Sequence, residues 1–178
     1  IYKAFPQSDP YELIKNAKDP KEGDHNFYYV LDEKFNIVYP EGATEEFCTT
    51  IIKVLTQKGI DSWKEMYIPY DPNGQTLNIE KAEVVKKNGS KVPAERSGNE
   101  LVFTGLEVGD AIVVRYKTQD YYVGRLAREF WSKFTFSAFV PTGMARYCLL
   151  AANNISFNHI VSDNSLKPVV TDFENFKL

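Results

Sequence analysis

The sequence predicts an all-β chain, a two-layer and mostly antiparallel β-sandwich with a short helical arm at its N-terminus. Three observations predict it. Roughly ten short apolar segments recur about every ten residues with turn signals between them, which suits a sandwich better than an α/β fold. Aromatic residues make up 14% of the 178 residues, and large rings favour strands. Several segments also alternate apolar and polar residues, the period of a half-buried strand.

In chain order, SDPYELIKNAKDP reads as a helix: Ser8 or Asp9 can cap it, Pro10 fits its first position, and Glu12 can complete a capping box. Asp19-Pro20 ends it, and the polar turn KEGDHN follows, so residues 1–24 are read as an arm and 25–178 as the sandwich domain. FYYVLD and FNIVYP read as strands flanking a turn near Asp32 to Lys34. EEFCTTIIKVLTQKG is a long β-branched run stopped by Gly59. DPNGQ is a turn. In TLNIEKAEVVKKNGSKV the apolar positions switch from odd (Leu77, Ile79) to even (Ala82, Val84), and a bulge at Glu80 and Lys81 would restore their facing. KNGS carries the Asn-Gly pair of a tight hairpin, whose two central residues take positive φ.

Leu101 and Phe103 form a short strand, then GLEVGD makes a corner before AIVVRYKT. There Asp110 can bond back to the turn, while Leu106 and Val108 plug the end of the sandwich. The most regular alternation comes next, with Phe130, Ser132, Phe134, Phe136, Ala138 and Val140 on one face and Trp131, Lys133, Thr135 and Ser137 on the other. ARYCLLAA and ISFNHIV continue as strands, and SLKPVVTDFENFKL is a terminal strand or extended tail.

Charge narrows the partners. The net charge is -3, with no run of five like charges, which excludes the electrostatic footprint of a nucleic-acid binder. No window reaches the ~18 apolar residues of a membrane helix. The start, IYKAFPQSDP, has neither an initiator Met nor a signal-peptide pattern, as in a mature protein or a fragment.

No catalytic residue is expected. Cys148, His159 and Asp163 occur in the order of a Cys-His-Asp triad, but Cys148 lies inside a strand-like run where a thiol usually behaves as a small hydrophobe. Cys48 and Cys148 are too few for a disulfide framework or a zinc site, although one bridge between them is geometrically open. DPNGQ begins like a calcium loop, yet Ala82 stands where the bidentate Glu belongs. No phosphate-cradling loop, nucleophile elbow or HExxH helix is present, so no cofactor and no metal are expected. A binding surface is the remaining chemistry: Tyr67, Tyr70, Tyr121, Tyr122 and Trp131 could stack against a glycan or a peptide.

F-x-G-L-x-V-G-D-x-I followed by an Arg-Tyr strand, together with IIKVLTQKGID, YIPYDPNGQTLNIEKAEVVKKNGSKV and FWSKFTFSAFVPTGMARY in that order, resembles a bacterial domain of unknown function found N-terminal to transglutaminase-like domains in cell-envelope proteins. The resemblance covers roughly residues 28–160. It implies a non-catalytic accessory domain, periplasmic or at the cell surface, that packs against a transglutaminase- or peptidase-like neighbour or binds a protein or peptide. It passes on no catalytic residue. A glycan-binding module and a cysteine-dependent enzyme are the alternative readings.

Overall fold

The computed structural model describes residues 2–20, 25–120, 129–136, 139–163 and 165–178. Among the described residues eleven strands are formed: β1 (Phe27–Val38), β2 (Thr44–Val54), β3 (Glu65–Tyr67), β4 (Gln75–Val85), β5 (Lys91–Pro93), β6 (Glu95–Ser97), β7 (Glu100–Val102), β8 (Ala111–Asp120), β9 (Ala145–Ala152), β10 (Asp172–Phe173) and β11 (Phe176–Lys177). The helices α1 (Pro10–Asn16) and α2 (Gln57–Trp63) are one turn and a half to two turns long. One sheet has the order β10-β11-β9-β1-β2-β8-β4-β5, and a smaller one has the order β3-β7-β6. All pairings of named strands are antiparallel except β1 with β9. The all-β fold is therefore as expected, with two sheets of very unequal size.

Bulges set the facing. In β4 the register with β8 shifts between Ile79 and Lys81, at the predicted place, and Leu77, Ile79, Ala82 and Val84 all reach the same core cluster. Arg96 clamps the site by donating from its guanidinium to the Ile79 carbonyl (2.9 Å). A second shift, in β1 between Tyr29 and Leu31, lets Tyr28, Val30 and Leu31 share one side.

The two faces of the large sheet are covered differently. On one, Ile52, Val54, Val84, Ile112 and Val114 pack under the small sheet, through Leu101, and under Ile60 and Trp63 of α2. Trp63 meets Phe27 and Tyr29 edge to face, with centroids 5.2 and 6.0 Å away. On the other face the N-terminal segment forms the cover. Phe5 is buried against Phe35 (4.8 Å, stacked), and Tyr11, Leu13 and Ile14 of α1 pack on Tyr28, Val30, Leu31 and Val113. The arm thus supplies core, each such ring or branched chain contributing about 1.5–3 kcal/mol of transfer free energy.

Five local expectations change, the first being the turn near Asp32 to Lys34, through which β1 runs unbroken with each of these residues paired to β2. The run through Gly59 leaves the sheet at Val54, because Thr56 accepts the Gly59 N–H (3.2 Å) and caps α2. The α1 cap, by contrast, is as expected: Asp9 accepts from the Tyr11 N–H (2.8 Å) and the Glu12 N–H (3.4 Å). At KNGS only Gly89 takes a positive φ (84°); Asn88 stays at negative φ and accepts from the Ser90 N–H (2.9 Å), widening the turn. The alternating segment forms no strand over residues 129–136, where Phe134 packs instead on Phe136 and Tyr147; Ser137 and Ala138 lie outside the described residues. ISFNHIV is likewise irregular, whereas the tail folds into the β10–β11 hairpin, which joins β9. The KEGD part of the predicted turn after α1, residues 21–24, lies outside the described residues.

Candidate binding site

GLEVGD is a corner, as its composition predicts. Gly105 and Gly109 sit at φ of 67° and 89°, which a side chain would strain. The Asp110 carboxylate, 1% exposed, accepts from the Glu107 N–H (2.8 Å), the Lys87 N–H (3.3 Å) and the Lys86 ammonium (2.5 Å). The Asp110 hydrogen bond, with Glu107 beside it, raises the Lys86 pKa. Leu106 is buried in the core, but Val108, expected to plug the sandwich end, is 40% exposed because the turn carries it outward. The Asp110 carboxylate is thus spent on holding the corner, while the Gly109 N–H and the Asp110 carbonyl pair with Val54 of β2.

The thiols are not arranged for catalysis. Cys48 in β2 pairs with Lys34 of β1, and Cys148 in β9 pairs with the next residue, Phe35. Successive residues of β1 face opposite ways, so the two thiols sit on opposite sides of the sheet and both are free. Burial, with Glu46 beside it, pushes the Cys48 thiol up to about 12. Burial also raises Cys148, against the pull of Arg146. His159 lies in an irregular exposed segment, and among the described residues no hydrogen bond joins it to Cys148 or Asp163. Asp71 uses its carboxylate to cap the Asn73 N–H (3.0 Å), and among the described residues no group of three His, Cys, Asp or Glu is placed to hold a metal. Among them, too, no helix is long and apolar enough to cross a membrane.

The tyrosine surface is dispersed. Tyr67, 63% exposed on β3, donates to Glu100 (2.6 Å), and that hydrogen bond raises its pKa. Tyr70 is half-buried in the link after β3, and Tyr121 and Tyr122 lie outside the described residues. Trp131 is 93% exposed and lines a cavity of about 230 Å³.

That cavity is the feature sequence reading missed. Its floor is the same sheet face that carries Ile52 and Ile112, continued along the strands to where the side chains turn polar: Asn36 of β1, Thr44 and Glu46 of β2, Thr118 and Asp120 of β8, and Gln75 of β4. Glu129, Phe130 and Trp131 close one side. Asn36, Thr44 and Thr118 are buried even though they are polar. Asp120 accepts from the Thr44 hydroxyl (2.8 Å) and the Gln75 amide (2.5 Å), and Lys34 lies 3.0 Å from Glu46. The signal was legible in principle: even positions of β2 and β8 change from Ile and Val to Thr, Glu and Asp within one strand.

Large apolar side chains are exposed mainly after β8. Phe139, Phe157, Ile160, Val169 and Val170 stand between 48% and 106% exposed.

Comparison with known proteins gives a fold and a partial family match. No curated protein matches the sequence. Residues 40–101 match a domain of unknown function with a solved structure, DUF3857. In fold the chain is similar to a proposed protease from Parabacteroides distasonis, at 16% identity and a TM-score of 0.62, over 85% of this chain and 34% of that one. A weaker likeness, with a TM-score of 0.42 at 13% identity, is to an M1 zinc metallopeptidase from Deinococcus radiodurans, over 92% of this chain and 40% of that one. The chain thus spans about a third of the length of that proposed protease, and is similar to DUF3857 over residues 40–101.

Proposed function

We propose that this chain is a non-catalytic accessory β-sandwich domain that works by docking, against a transglutaminase- or peptidase-like neighbour in a longer protein or against a protein or peptide partner. The single observation that carries this reading is the set of exposed apolar side chains at Phe139, Phe157, Ile160, Val169 and Val170. Exposed apolar surface of this kind costs solubility unless something covers it. The match over residues 40–101 and the fold shared with a larger proposed protease are consistent with a piece of a multidomain protein. By its resemblance the compartment would be the periplasm or the cell surface. The cysteine-enzyme reading is the weaker one, because both thiols are held in their neutral form by burial.

Hydrogen exchange tests the docking reading. Residues 139–170 should be slower to exchange in the full-length protein than in this chain alone. Identical exchange in the two, with added partner or without, would remove its support.

A further inference from the structure

The cavity beneath Trp131 is polar where the rest of its sheet face is apolar. At the other end of the same sheet face, equivalent positions hold Ile52, Ile112 and Val84, which stabilise the fold by burial. Here Asn36, Thr44 and Thr118 occupy that layer, and the space above them is left open. We propose that this cavity binds one ring of a neutral saccharide, with the Trp131 indole as its stacking surface.

Size is the first argument. At about 230 Å³ the space is below the ~300 Å³ at which drug-sized pockets begin, and suits a single small ring. Chemistry is the second. Hydroxyls both donate and accept, and so do the Thr44 and Thr118 hydroxyls and the Asn36 and Gln75 amides; the Asp120 and Glu129 carboxylates accept only. The Thr44 hydroxyl and a Gln75 amide N–H already bond Asp120, and an Asn36 amide N–H bonds Ser132. A ring of vicinal hydroxyls can use the donor and acceptor positions that remain, whereas an ammonium group, which only donates, can use the acceptors alone. Charge is the third. Glu46 is paired with Lys34, but among the described residues neither Asp120 nor Glu129 has an ion-pair partner, so an anionic ligand would be repelled. An almost fully exposed indole at the mouth completes the set, offering area at small entropic cost.

The site differs from the dispersed tyrosines that composition alone suggested. It also stands apart from the docking reading, which uses Phe139 and residues 157–170.

The test is a titration of the intact chain, followed by Trp131 fluorescence and by isothermal calorimetry. The probes are glucose, galactose, N-acetylglucosamine and their β-1,4-linked dimers, with glucuronate as anionic and lysine methyl ester as cationic control. At least one neutral sugar should bind saturably with a Kd of about 1 mM. Trp131→Ala should weaken it about tenfold. Thr118→Val, which keeps the shape and removes a hydroxyl, should weaken it while leaving the circular dichroism spectrum unchanged. Tyr67→Ala, on the small sheet, should bind as the parent does. The proposal is overturned if no neutral sugar saturates by about 100 mM, a hundredfold above the expected Kd. It is overturned equally if binding survives both Trp131→Ala and Thr118→Val, or if lysine methyl ester binds and the sugars do not. None of these results bears on hydrogen exchange at residues 139–170.

Discussion

Asn26 and Gly59 are packed backbone against backbone: a β-carbon on Gly59 would collide with the Asn26 carbonyl oxygen. That oxygen also accepts from the Leu55 (2.8 Å) and Thr56 (3.2 Å) N–H groups, and the Thr56 hydroxyl donates to the Asn26 side chain (2.8 Å). The start of β1 and the start of α2 are thereby locked together. Gly59→Ala should therefore destabilise the protein by about 2 kcal/mol or more, although alanine is the better helix former by ~1 kcal/mol. Urea unfolding measures it, and an unchanged or raised midpoint would contradict the close approach.

Asp110 holds the corner between β7 and β8 through two backbone N–H groups as well as Lys86. Truncating it leaves those donors, at a half-buried corner, without their acceptor. Asp110→Ala should cost roughly 2–4 kcal/mol. Lys86→Met, which removes only the cation from the edge of the corner, should cost clearly less in the same denaturation experiment.

The arm should respond to acid. Burial acts to raise the Asp19 carboxyl, but hydrogen bonds from Lys53 (2.5 Å) and Tyr28 (3.0 Å) outweigh it and hold the pKa below its ordinary value. A carboxylate whose folded pKa is depressed contributes stability that is present above its unfolded pKa and lost as pH falls through the folded one. Attachment of residues 10–19 should accordingly weaken below about pH 4. Protection of α1 against hydrogen exchange, taken relative to the intrinsic rate at each pH, should fall over that window in the parent and not in Asp19→Asn, which is loosened at every pH.

Deleting residues 1–19 should do more than trim an appendage. It uncovers Phe35, Val30, Leu31 and Val113 together with the Tyr11 contacts to Glu83 (2.6 Å) and Lys81 (2.5 Å). We expect the shortened protein to unfold at a lower temperature, by well over the ~4 °C that one kcal/mol represents in a chain of this size, and to bind hydrophobic dyes. A deletion variant as stable as the parent would make the arm dispensable.

Thiol labelling separates the enzyme from the module. In native protein Cys48 should react with a disulfide reagent only on unfolding, and Cys148 should react more slowly than a free cysteine at pH 8, because burial raises both thiols. Rapid labelling of Cys148 near pH 6 would restore the catalytic reading.

Much of the fold was legible because it rests on local chemistry. The β4 bulge follows from the switch in apolar parity at Ile79 and Ala82, and the GLEVGD corner follows from two glycines and an acid. α2 was hidden because TTIIKVLTQKG continues a β-branched run without a break in composition; only Thr56, acting as a cap, ends the strand. The alternation from Phe130 to Val140 misled for the opposite reason. Period two suits a half-buried strand, but it brings no partner, and over residues 129–136 the rings are met by Tyr147 and by one another. The change to polar even positions within β2 and β8 could be read from the sequence, but the cavity itself could not, because its floor gathers Asn36, Glu46, Gln75 and Asp120 from four strands. Of the residues singled out for binding, Trp131 alone reaches it among those described.

β1 lies between β2, its neighbour in sequence, and β9, which runs parallel to it from more than a hundred residues later. On the ribosome, then, half of that strand's hydrogen-bonding capacity has to wait until Ala145–Ala152 has been made. Through most of synthesis a long apolar edge stands open to any other strand, and an open edge recruits neighbours. A nascent chain stalled before Ala145 should therefore aggregate or hold a chaperone, and one released after Ala152 should not.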